Sequence, residues 1–160
     1  MPIINVKVGA KKSPGLAQRI ADTLSELTSR ILHKDPHILS IAIDFVDPDT
    51  WIIGGRSLST QHKSSIYFDI KVTDETNTKD EKALYLRNAF EAFEDLLGDL
   101  HEESYFYVQD VRAASYGYGG RTQEFRFQHP SEEPIRMSRG HRVKAFYPFW
   151  TARPVLGAKT

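Results

Sequence analysis

The residue with the most chemistry to offer is the second. The chain opens Met1-Pro2-Ile3-Ile4-Asn5-Val6-Lys7-Val8, a β-branched run that predicts a strand starting at the terminus. Proline is a small second residue, so removal of the initiator methionine is expected. Pro2 would then present a free secondary amine at the lip of a buried strand, a base and potential nucleophile that needs no side chain. A free α-amino group titrates near ~8, and a prolyl amine is intrinsically more basic. Burial against apolar neighbours and a nearby cation both disfavour its protonated form. A base tuned in this way can take a proton from one carbon or enol oxygen and return it to another.

Other chemistries fall away. There is no cysteine, which excludes disulfides, thiolate nucleophiles and Cys-ligated zinc. The six histidines are scattered. His33 and His37 stand four apart, but Asp35-Pro36 interrupts the helix that would have to align them, so no metal site is expected. Gly54-Gly55 and Gly119-Gly120 lack the strand-to-helix context of a phosphate loop and read as hairpin glycines. Lys+Arg and Asp+Glu both number 21, a balance that argues against a nucleic-acid or anionic-membrane partner. No apolar run approaches membrane-spanning length, and the start lacks a signal-peptide core. The expectation from composition is a cytoplasmic soluble protein.

The elements that must position Pro2 come in two similar sets. After the strand Ile3 to Val8, Gly9 closes it, and Ser13-Pro14 predicts an N-cap followed by proline at the first helical position. Leu16, Ile20, Leu24, Leu27 and Ile31 recur at helical spacing up to about His33. Ile38 to Val46 is a second β-branched run, with Ile41, Ile43 and Phe45 on one side and Ser40, Ala42 and Asp44 on the other. Trp51-Ile52-Ile53-Gly54-Gly55 follows a turn at Asp47-Pro48-Asp49.

The order then repeats. Ser65 to Val72 predicts a strand, and Thr78 with Glu81 a capping box. Ala83, Leu86, Phe90, Phe93 and Leu97 form a helical stripe ending near Gly98, and Ser104 to Val111 is another strand. A shift of 66 residues lays Ile4 on Ile70, Ile20 on Leu86 and Ile31 on Leu97, and a shift of 65 lays Trp51-Ile52-Ile53-Gly54-Gly55-Arg56 on Tyr116-Gly117-Tyr118-Gly119-Gly120-Arg121. Residues 2–62 and 63–128 are therefore read as tandem β-α-β repeats of one α/β domain. Joined edge to edge they predict a four-stranded mixed sheet with two helices on one face. The opposite face, expected to carry Ile3, Val6 or Val8, calls for cover by oligomerisation.

Pro2-Ile3-Ile4-x-Val6, the amphipathic helix, the β-branched strand and the aromatic-x-Ile-Gly-Gly run at Trp51 to Gly55 together resemble the tautomerase superfamily of the 4-oxalocrotonate tautomerases. The resemblance covers residues 2–127. It implies the fused two-repeat arrangement of longer members, such as malonate semialdehyde decarboxylase and cis-3-chloroacrylic acid dehalogenase, with a homotrimer as the assembly. The implied activity is keto–enol tautomerisation of a small 2-oxo or 2-hydroxy unsaturated acid, with no cofactor and with that small carboxylic acid as the partner. Hydration, dehalogenation or decarboxylation, or a noncatalytic trimer of the same fold, are the alternatives.

Carried over by position, Pro2 matches the family's catalytic proline and Trp51 its active-site aromatic. Lys12 falls where short members place a substrate-binding arginine, keeping charge but losing the bidentate fork. A second family arginine falls on Ser40, or on Tyr105 in the second repeat, neither of them cationic. Arg56, Arg112 or Arg121 could substitute. For the dehalogenase branch, the helix histidine falls on Thr28 and the paired arginines find no match, while Tyr107 and Asp110 are counterparts of its tyrosine and carboxylate. The candidate substrate-binding set is thus Lys12, Trp51, Tyr107, Arg112 and Arg121. Residues 129–160 lie outside the repeat. They carry six Lys/Arg against two Glu, and the cluster Phe146, Tyr147, Phe149, Trp150 predicts an arm packed across a neighbouring subunit.

Overall fold

The computed structural model describes residues 2–130. The C-terminal arm expected over 129–160 lies outside them from residue 131 onward. Strand β1 (Ile3–Gly9) leads into helix α1 (Leu16–Leu32), a short 3-10 turn at Pro36–Ile38 and strand β2 (Ser40–Phe45). A two-residue hairpin, β3 (Ile52–Ile53) and β4 (Arg56–Ser57), ends the first repeat with a single helical turn, α2 (Leu58–Gln61). The second repeat follows the same order: β5 (Ser65–Thr73), α3 (Lys79–Leu97), β6 (Tyr105–Val111), hairpin β7 (Gly117–Tyr118) and β8 (Arg121–Thr122), then α4 (Gln123–Gln128).

The sheet order is β2-β1-β5-β6. Each crossover makes its own strand pair parallel, and the repeats meet at the antiparallel pair β1–β5, where Ile4 faces Ile70 and Val6 faces Phe68. Helices α1 and α3 pack together over one face of the sheet. Under them, Ile4, Val6, Val8, Ile66, Phe68, Ile70 and Val72 close on Ile20, Leu24, Tyr85 and Phe93. Burying side chains of this size contributes about 1.5–3 kcal/mol each. The four-stranded mixed sheet and its two-helix layer are as the repeat predicts.

Four details differ from the sequence expectation. Val6 and Val8 lie beneath the helices at 1% and 0% exposure. The open face of β1 carries Ile3, Asn5 and Lys7 instead, because alternation from the buried Ile4 decides the side. Helix α1 begins at Leu16 after Gly15 at φ 73°, without a side-chain cap. Ser13 accepts the Leu16 N–H through its carbonyl, so Ser13-Pro14 forms a turn rather than the first helical residues. On α3 the fully buried line is Tyr85, Ala89 and Phe93, with Leu86, Phe90 and Leu97 flanking it and Ala83 exposed. The line rotates because the Tyr85 hydroxyl shares a 2.7 Å hydrogen bond with Thr28 of α1, both residues being buried. Finally, the repeat shift is smaller than 66 in the strands. Ile3, paired with Ser40, corresponds by face and position to Tyr67, paired with Tyr105, which gives 64 for the first strand and 65 for the second.

The Thr78–Glu81 capping box is present, each side chain bonding the other residue's backbone N–H. The Thr78 N–H and then Asn77 Nδ2, both donating to the Glu81 carboxylate, hold that carboxyl below its ordinary value. The glycine pairs turn both hairpins, Gly54 and Gly55 at φ 59° and 78°, Gly119 and Gly120 at 58° and 74°, the left-handed geometry a two-residue hairpin requires.

Candidate active site

Strand polarity decides which candidates can meet. The end of the sheet beside Pro2 holds the starts of β1 and β2 and the ends of β5 and β6. Pro2 is buried there, and its carbonyl accepts the Ser40 N–H at 3.4 Å. Helix α1 runs back to this end, where the Leu32 carbonyl accepts from Asn77 Nδ2 at 3.1 Å. The second hairpin stands here too. Tyr116, just before β7, shares a 2.7 Å hydroxyl–hydroxyl hydrogen bond with Thr73 at the end of β5, and burial pushes the Tyr116 phenol above its usual range. An open cleft of about 300 Å³ runs along this hairpin, with Tyr116, Tyr118 and Arg121 in its lining.

Arg112 and Arg121 therefore share an end with Pro2. Arg112 is exposed just beyond β6, and the Arg121 guanidinium lies over the Phe125 ring at 5.2 Å. Lys12 and Trp51 do not share it. Lys12 is exposed in the loop after β1. Trp51 packs on Gly9, where an added Cβ would come within 2.8 Å of its ring and 2.6 Å of Leu58, so glycine is needed for that approach. Both stand beyond the far end of β1, a strand of seven residues that spans roughly 20 Å. Arg56 is exposed in the first hairpin at the same far end.

Tyr107 lies on the open face of the sheet, 44% exposed, with ring centroids 5.8 Å from Tyr67 and 6.3 Å from Tyr105. Beside these rings Asp69 is buried, paired with Lys71 and accepting from Asn5 Nδ2 at 3.3 Å. Asp110 pairs with Lys82 of α3, and Thr28 is committed to Tyr85.

One residue at the Pro2 end went unnoticed in the sequence. Lys34, just past the end of α1, donates to Thr76 Oγ1 at 2.9 Å. Burial pushes its ammonium below the ordinary lysine value, Glu81 and Asp110 pull it back up, and Lys82 adds to the fall. A half-buried cation at the same end as a buried proline can hold a carboxylate and disfavour a second positive charge nearby. Its sequence signal was slight, a single lysine before Asp35-Pro36. Only the antiparallel return of α1 along β1 brings it to the Pro2 end. Among the described residues no group of three or more His, Asp or Glu could hold a metal ion, and no helix is long and apolar enough to cross a membrane.

No family model matches the sequence, and no curated protein matches it. Solved structures do match in fold. A macrophage migration inhibitory factor-like protein from Entamoeba histolytica superposes with a TM-score of 0.63 at 16% identity, covering 76% of this chain and 97% of that one. Pt0534, solved after inactivation by 2-oxo-3-pentynoate, gives 0.66 at 10% identity, with 76% and 97% covered. A wild-type fused 4-OT, solved as an asymmetric trimer, gives 0.62 at 13% identity, with 76% and 96% covered.

Proposed function

From a chain that has the fold of the tautomerase superfamily, we propose a cofactor-independent isomerase in which the processed Pro2 amine is the general base. The substrate class is a small 2-oxo or 2-hydroxy unsaturated acid. The observation that carries this reading is the burial of Pro2 at the sheet end that also holds the desolvated cation Lys34. The neutral amine takes the proton from the 2-hydroxyl of a dienol acid, the oxygen electrons close the carbonyl, and the prolinium returns that proton to a chain carbon. Lys34 holds the carboxylate and offsets negative charge on the dienolate, with Arg112 and Arg121 able to add to that field.

In one subunit Lys12 and Trp51 lie too far away to join this site. They take part from a neighbouring subunit of a homotrimer, a fused 4-OT of the same fold having been solved as a trimer. The compartment inferred for such an enzyme is the cytoplasm.

The reagent that inactivates Pt0534 supplies the test. A secondary amine adds to the electron-poor alkyne of 2-oxo-3-pentynoate, so the N-terminal peptide should gain one equivalent as 2-hydroxymuconate ketonisation disappears. Pro2→Ala should lower that turnover at least about a hundredfold. Undiminished turnover in the variant, or label on another residue, overturns the reading. So does an intact mass that retains Met1, because an acylated nitrogen is not basic. Proline-dependent hydration or halide release would instead assign Pro2 an acid's role.

A further inference from the structure

We propose that the sheet end opposite Pro2 carries a second site, one that binds small carboxylate anions and cannot turn them over. The two repeats are related by a near two-fold axis between β1 and β5, so the start of β5 is the counterpart of the start of β1. The 64-residue shift of the first strand lays Pro2 on Ile66.

An open cleft of about 480 Å³ lies at that end of the sheet, a volume within the range that holds small ligands. The exit of β1 with Gly9 and Lys11, the lead into β5 with His62 and Lys63, and the end of α3 with Asp99 frame it, together with Pro48 and the start of α2 at Leu58. Ser64 ties its floor together. Its hydroxyl donates to the Gly98 carbonyl at 2.9 Å, its N–H donates to the Asp99 carbonyl at 3.2 Å, and its own carbonyl accepts the His101 N–H at 2.8 Å. Lys11 and Lys63 outweigh the one carboxylate of Asp99, and protonation of His62 adds to the excess. A small anion is the ligand that this balance and size fit.

The chemistry stops at binding. The nitrogen that corresponds to the prolyl amine is the backbone amide of Ile66, inside the chain and donating to Ser104 Oγ at 3.2 Å. It has no basic lone pair and its proton is committed.

The carboxylate class reading above guides only the choice of probe, and the test is made on Pro2→Ala protein so that it is independent of turnover. Malonate is titrated at low, constant ionic strength and followed by backbone amide shifts. Saturable shifts are expected at Gly9 to Lys11, His62 to Ser64, and Gly98 and Asp99. The Lys11→Glu/Lys63→Glu double variant should bind roughly tenfold or more weakly, and its spectrum reports whether it has folded. Lys11→Gln/Lys63→Gln should fall between the two. Absence of these shifts, equal shifts in the double-Glu variant, or the same shifts with chloride, overturns the proposal. A wild-type protein that binds malonate here yet lacks ketonisation would defeat the isomerase reading alone.

Discussion

Pro2 and Lys34 arrive at the same end of the sheet by different routes, one as the first residue of a strand and the other as the last step of a returning helix. In the isomerase proposed here, a free Pro2 amine and the Lys34 ammonium at the same sheet end would each disfavour positive charge on the other. Lys34→Met removes the carboxylate anchor while keeping most of the stem volume. We expect KM for an oxo acid to rise roughly tenfold with the fold intact, the loss of one partly desolvated charge contact. Steady-state kinetics beside a thermal melt check it. An unchanged KM would remove Lys34 from the substrate site.

At the scale of the element, the two helices are held in register by a polar contact inside an apolar interface. Burial pushes the Tyr85 phenol well above its ordinary value, so it stays neutral and its hydroxyl remains a partner for Thr28 Oγ1. Tyr85→Phe strands the Thr28 hydroxyl and should cost about 1–3 kcal/mol, whereas adding Thr28→Val removes the orphan and should return most of it. Urea unfolding of both single variants and the double closes that cycle. The contact also explains why the α3 stripe read from spacing alone was displaced. Leu86, Phe90 and Leu97 are as apolar as a core line requires, but Phe90 packs toward Phe106 at the sheet edge, and Tyr85 takes the centre.

For the whole molecule, the open face of the sheet and the separated candidates pose one question. Tyr67, Tyr105 and Tyr107 lie exposed or half-exposed in a row, and the two residues carried over from the short family members face the wrong end of their own chain. A trimer answers both points if a neighbour's Lys12 and Trp51 come up to Pro2. Subunit mixing tests it. Pro2→Ala and Lys12→Ala chains, each nearly inactive as a pure assembly, should regain about a quarter of wild-type turnover when refolded together in equal amounts, since sites pairing an intact Pro2 with an intact Lys12 reassemble across the contact. No recovery would confine Lys12 to its own loop.

The doubled pattern was legible because it rests on local physics. Alternation fixes a strand, 3.6-residue spacing a helix, a Thr-x-x-Glu box its start and a glycine pair its hairpin, and each needs only neighbours in sequence. The chain alone thus determined the β-α-β repeats, the sheet class and the candidacy of Pro2. Which candidates stand together was decided by tertiary structure, because strand polarity and helix return are relations between distant segments. They set Arg112, Arg121 and the unsuspected Lys34 at the Pro2 end of the sheet, carried Lys12 and Trp51 to the other end, and turned Tyr107 onto the open face.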